Sequence, residues 1–115
     1  MKLNNTRGYS LKKKRKGEAL IGVFKKEGIV AIGGINRDPY SNDPLIGRLR
    51  RFYAAEAFRR SAVGTVLLNL LILKAKSYYK VLVLHTVTLI ADKFYYSFGF
   101  QRQSTYPNST HYLKL

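Results

Sequence analysis

The stretch Arg59-Arg60-Ser61-Ala62-Val63-Gly64-Thr65, running straight into Val66-Leu67-Leu68-Asn69-Leu70-Leu71-Ile72-Leu73, has the composition of an anion seat. Two arginines and a turn of small residues precede a long apolar helix, and the first N–H groups of any helix lack intrahelical acceptors. The macrodipole adds partial positive charge at that end, worth up to about 2 kcal/mol toward an anion in a partly buried site. Small side chains at Ser61, Ala62 and Gly64 let a phosphate approach those N–H groups closely. Arg59 and Arg60 can add charge-assisted bonds from the flank. The stretch reads as a pyrophosphate grip; the plainer alternative is a solvated Arg-Arg loop before an ordinary helix start.

On its N-terminal side lies Ile46-Gly47-Arg48-Leu49-Arg50-Arg51-Phe52-Tyr53-Ala54. From Arg48 to Phe52 it partly alternates, Leu49 and Phe52 inward and arginines outward, as a half-buried strand does. Residues 36–45, with Pro39, Asn42, Asp43 and Pro44, form a loop by composition. Before it, residues 19–24 and 29–35 are two strands joined by Lys25-Lys26-Glu27-Gly28, the pattern of an antiparallel hairpin. Gly33 inside the second strand marks a bulge or a close backbone approach. Residues 1–17 are polar and basic with no apolar period, and read as a flexible arm ahead of a domain covering 18–115.

On the C-terminal side, a helix over about 62–78 is apolar on nearly every side until Lys74 and is expected to be largely buried. Val81-Leu82-Val83-Leu84-His85 is a continuous apolar run, typical of a central, parallel strand. Thr86 or Thr88 caps the next helix and Gly99 ends it; Ala91, Phe94, Tyr95 and Phe98 share one of its faces. Residues 100–106 and 109–115 suggest a last hairpin about Pro107-Asn108. The order is β-β-β-α-β-α-β-β, an α/β fold with helices packed on a mixed, mostly antiparallel sheet.

The chain has 115 residues, 46% hydrophobic, with nine Tyr and six Phe, enough for one packed domain. It has no Cys, which excludes disulfides and thiolate chemistry and fits a reducing compartment. The longest apolar run, Val66 to Leu73, is too short to span a bilayer, and no signal-peptide core follows Lys2, so a cytoplasmic location is expected. The two His are far apart in sequence and the carboxylates are scattered, so no metal set is expected. The net charge is +15, and seven of the 21 basic residues (Lys2, Arg7, Lys12, Lys13, Lys14, Arg15 and Lys16) precede the first acid. Such a field favours anionic partners: a phosphorylated cofactor, RNA, or an acidic surface.

Three segments in this order resemble the GNAT superfamily of acyl-CoA-dependent N-acetyltransferases. The 59–65 stretch is similar to the family's (Arg/Gln)-x-x-Gly-x-(Gly/Ala) pyrophosphate loop, with Ala62 in place of its first glycine. Phe94-Tyr95-Tyr96-Ser97-Phe98-Gly99-Phe100 resembles its Phe-Tyr-x-x-x-Gly-Phe signature, and the strand ending at Ala54 precedes the loop as the family requires. The resemblance covers about 18–115 and implies a chain without the family's usual N-terminal strand and helices. It further implies acetyl-CoA as cosubstrate, its pantetheine on the backbone of Phe52, Tyr53 and Ala54. Its pyrophosphate would rest on Arg59, Arg60, Ser61, Ala62, Val63, Gly64 and Thr65, with Tyr95 as general acid and an unidentified amine as acceptor. No general base is assigned; His85, His111 and a water-mediated route stay open, while Glu56 lies beyond the strand. Two other readings stand beside transfer: a non-catalytic acyl-CoA- or partner-binding domain, and a basic RNA- or ribosome-associated module. A homodimer is one way to complete the open side.

Overall fold

The computed structural model describes residues 2–4, 7–12, 16–26, 28–59 and 61–115. Its strands are β1 (Lys2–Asn4), β2 (Arg7–Lys12), β3 (Ala19–Lys25), β4 (Gly28–Arg37), β5 (Ile46–Ala54), β6 (Val81–Leu84) and β7 (His111–Lys114). A 3-10 turn (Glu56–Phe58) and helix α1 (Val63–Lys76) join β5 to β6, and helix α2 (Leu89–Ser97) lies between β6 and β7. The seven strands form one sheet in chain order, antiparallel throughout except for the parallel pair β5–β6. The parallel step exists because α1 carries the chain back across the sheet, as a parallel connection requires. The expected mixed sheet with packed helices is therefore the observed one.

Two expectations are corrected. The basic N-terminal arm contains two strands, and β2 pairs with β3 over five residues from Gly8↔Phe24 to Lys12↔Leu20. The charge of this stretch masked the alternation Tyr9-Ser10-Leu11-Lys12, which has the two-residue period of a strand. Lys13, Lys14 and Arg15 lie outside the described residues. The closing hairpin is reduced to a single bridge, Gln101↔Tyr112. Arg102-Gln103-Ser104-Thr105 has no apolar alternation with which to anchor a strand, and all four residues are exposed.

Both helices lie on one face of the sheet, the near face. Val63, Leu67, Leu68, Leu71 and Ala75 of α1 join Tyr95 of α2 in one core with Ile21, Val23, Ala31, Ile35, Leu49, Leu82 and Leu84. Helix α1 is half in solvent rather than largely buried: Leu73 is 66% exposed, because a single sheet covers only one side of it. On the far face Ile46, Val81 and Val83 make a small cluster with Tyr106 and Tyr112, while Leu20, Phe24 and Ile32 stay half-buried. Helix α2 starts where expected, with Thr88 Oγ1 accepting from the Ala91 N–H at 3.1 Å. It ends at Gly99, whose φ of +96° suits glycine. Among the described residues, no helix is long and apolar enough to cross a membrane.

Gly33 lets α1 settle onto β4. A Cβ there would lie 2.7 Å from Leu71 Cδ1 and 3.0 Å from Phe52 Cδ2. Leu71 is fully buried and has nowhere to retreat. Gly33→Ala is therefore expected to lower stability by roughly 1–3 kcal/mol through overpacking, read as a shifted urea midpoint. An unchanged midpoint would mean that the helix rides higher over the sheet than this packing requires.

Candidate active site

Strands β5 and β6 are in register for only three pairs, Ile46↔Val81, Gly47↔Leu82 and Arg48↔Val83, and then part. Strand β6 stops at Leu84 while β5 continues to Ala54, so from Leu49 onward the β6-facing edge of β5 has no strand partner among the described residues. On its other side β5 slips against β4: Gly34 pairs with Arg50, but Ile32 pairs with Tyr53. That extra residue is a β-bulge, and Arg51 sits in it at φ +55°. A non-glycine residue there stores roughly 1–3 kcal/mol of backbone strain.

The parted edge carries the first group of expected site residues. Phe52 turns to the near face, its ring 5.8 Å from Phe94 and 6.0 Å from Tyr95. Tyr53 turns to the far face and is exposed. The Ala55 N–H donates to Val30 O at 2.8 Å, so alternation turns the Ala54 N–H and C=O away from β4, toward the opening. Arg59 Nε already donates to that Ala54 carbonyl, at 3.0 Å. The protein's own arginine thus occupies one acceptor of the edge.

The turn before α1 carries the second group. Ser61 Oγ donates to Phe58 O at 2.7 Å and accepts from the Val63 N–H at 3.3 Å. The amides of Ala62, Gly64 and Thr65 donate to no group among the described residues, as the start of a helix leaves them. Ala62 has φ −71° and ψ −1°, an ordinary right-handed conformation, so its methyl group costs no strain where the family pattern has glycine. Val63 is buried in the core and Thr65 is exposed. Gly64 faces α2, where a Cβ would lie 3.6 Å from Phe94 Cζ, an ordinary contact. Arg60 lies outside the described residues.

Tyr95 is 7% exposed and sits among Phe52, Phe94 and Phe100. Burial alone pushes its phenol up to about 12. Its hydroxyl takes no partner among the described residues, yet it is not a sealed orphan: the sealed, unpartnered side-chain atom there is Asp38 Oδ2. Beside it, His111 Nε2 meets Asp92 Oδ1 at 2.6 Å, Thr110 Oγ1 meets His111 Nδ1 at 2.7 Å, and the Thr86 N–H donates to Thr110 Oγ1 at 3.0 Å. This chain of bonds ties α2 to β7. His111, 2% exposed, is thereby a structural tie, whereas His85 is exposed at the end of β6.

On the far face, the parting opens a cleft of about 1030 Å³. Tyr40, Arg48, Arg50, Arg51, His85 and the 104–110 segment line it. Arg48, expected to point outward, is buried there. Its Nε donates to Asp38 Oδ1 at 2.8 Å, and its terminal nitrogens donate to Asn108 O at 2.9 Å and Pro107 O at 3.0 Å. Its guanidinium also stacks 4.9 Å from the Tyr40 ring centroid. These partners lie 10, 60 and 59 positions away in sequence, so no local pattern signals them. The 104–110 wall likewise carries no local sequence signal beyond that of a strand and a turn. Among the described residues no group of three or more His, Cys, Asp or Glu is placed to hold a metal ion.

The acetyltransferase (GNAT) domain model matches residues 16–102. No curated protein matches the chain in sequence. Among solved structures, a protein described as an acetyltransferase from Exiguobacterium sp. 255-15 is 31% identical, with TM-score 0.76 over 88% of this chain and 65% of that one. This chain therefore spans 65% of that relative's length. A GNAT family acetyltransferase from Elizabethkingia anophelis, with acetyl-CoA bound, shares 16% identity and has TM-score 0.71, covering 97% of this chain and 100% of that one. The paia N-acetyltransferase from Thermoplasma acidophilum, in complex with coenzyme A, shares 17% identity and has TM-score 0.66 over 86% and 62%. At those identities the last two show a common fold. With the family model covering most of the chain and the parted strands beside an open helix start, this chain belongs to the GNAT acetyltransferase family.

Proposed function

We propose that the protein moves an acetyl group from acetyl-CoA to an amine. The observation that carries this reading is the parted β5–β6 edge lying beside the unsatisfied amides of α1. The edge suits an extended chain with amide groups, and the helix start suits an anion. The amides of Ala62, Gly64 and Thr65, with the remaining N–H donors of Arg59 and those of Arg60, hold the pyrophosphate. Phe52, Tyr53 and the Ala54 N–H line the pantetheine. Ser61 and Val63 shape the turn instead of donating, since the Ser61 hydroxyl and the Val63 N–H are spent on local bonds.

Acetyl-CoA, when bound, supplies an activated acyl carbon and a thiolate leaving group. Remote binding of its phosphates orients the thioester beside the amine, and the gain is one of proximity. Tyr95 stays neutral at physiological pH and offers its unpartnered hydroxyl to the departing sulfur. The burial that raises the phenol disfavours a thiolate beside it as well. The new C–N bond replaces the C–S bond. The proton shed by the amine nitrogen leaves through water and restores the phenol.

Calorimetric titration with acetyl-CoA is expected to show saturable binding that the Arg59→Ala, Arg60→Ala double variant loses. A folded protein with no heat of binding would overturn the cosubstrate site. Tyr95→Phe is expected to keep that affinity while kcat falls by about 10²-fold; an unchanged kcat would leave Tyr95 as a core aromatic. Its protonation also has a stability signature. The unfolded phenol titrates near pH 10 and the folded one near 12. Between those values the folded chain keeps a proton that the unfolded chain has lost, so unfolding free energy falls as pH rises. The wild type is expected to lose on the order of 2 kcal/mol relative to Tyr95→Phe across that window, measured by denaturant unfolding at each pH.

A further inference from the structure

The far-face cleft is positively charged without any carboxylate on its wall. Arg48, Arg50 and Arg51 line it together with His85, and no Asp or Glu is among its lining residues. The three arginines are not equivalent. Arg48 is neutralised by Asp38 and spends its other donors on backbone carbonyls. The Arg50 and Arg51 side chains are exposed and make neither an ion pair nor a hydrogen bond with any described residue.

Consecutive residues of a regular strand point to opposite faces. Here the bulge breaks that rule at Arg51, with its φ of +55°, and both neighbouring arginines line one cleft. The backbone strain thus lies where two arginines that no described residue pairs both line the cleft, and guanidinium forks fit carboxylate and phosphate bidentately. The opposite wall, residues 104–110, adds the hydroxyls of Ser104, Thr105 and Thr110. The cleft begins where β5 leaves β6, on the face away from the helices.

We propose that Arg50 and Arg51 bind the anionic group of a small amine acceptor, one carrying a carboxylate or a phosphate beside its amino group. The proposal rests on the acetyl-transfer reading for the word acceptor; the anion site itself does not. The same charge serves the chemistry. Positive neighbours disfavour the ammonium form of a bound amine, so the cleft favours the neutral nucleophile although no carboxylate base lines it.

Matched pairs of ligands test this: O-phosphoethanolamine against ethanolamine, and β-alanine against propylamine. Binding of each is followed by NMR titration without cosubstrate, and acetyl-CoA is titrated separately by calorimetry. The member of at least one pair that carries the phosphate or carboxylate is expected to bind about tenfold or more tightly than the partner that lacks it. The two pairs separate phosphate from carboxylate as the preferred anion. In Arg50→Gln, Arg51→Gln the preference is expected to vanish while the acetyl-CoA affinity stays at the wild-type value, which also shows that the variant is folded. Arg50→Lys, Arg51→Lys, keeping charge without the fork, is expected to recover part of it. If acetyl-CoA binds but the amines with and without the anionic group bind alike, or the preference survives in the Gln variant, the inference is overturned and the transfer reading stands. If the anions bind selectively and acetyl-CoA does not, the transfer reading fails and the anion site remains.

Discussion

The buried guanidinium of Arg48 is the constraint on which the site depends. It belongs to the last register pair before β5 and β6 part, and from there it reaches the Asp38 turn on one side and the 107–108 turn on the other. Three pieces of chain remote in sequence are thereby fixed around the apex of the opening. A buried charge held this way contributes less to net stability than its bonds suggest, because taking both ions out of water costs several kcal/mol each. Removing one partner, however, strands the other, at about 3–5 kcal/mol. The apex is therefore a rigid point from which both arms of the cleft diverge.

Most of the fold was legible in the sequence because it is written in local periods. Two apolar runs either side of the Lys25–Gly28 turn marked β3 and β4, partial alternation marked β5, the continuous apolar run marked β6 as central, and Thr88 and Gly99 bounded α2. The failures also have physical causes. In β2, charge hid a two-residue period; in the 102–105 segment, extended backbone was inferred without the alternation that would anchor it. The helix start and the strand edge were legible too, since both are local features. The far-face cleft was not. Arg48 is paired by residues up to 60 positions away, and the bulge at Arg51 follows from β4–β5 register, which no single strand encodes.

The two faces of the sheet divide the work. The near face carries the helices, the core and Tyr95, and presents the start of α1. The far face carries the arginines and the cleft. The ring of Tyr95 completes the core against Phe52 and Phe100, while its hydroxyl takes no partner among the described residues. The bonds from Thr86 through Thr110 and His111 to Asp92 hold α2 in position, and with it the aromatic face that sets the phenol's depth.

Because the main core lies wholly on the near face, the far face answers to few packing demands. Its small cluster about Val83 stands at one end, and the remainder of that surface is half-buried side chains of β3 and β4. Substitutions there change charge and shape without opening cavities beneath α1. The scaffold is in this sense modular: recognition can diversify on one surface while the surface that folds the protein stays constant.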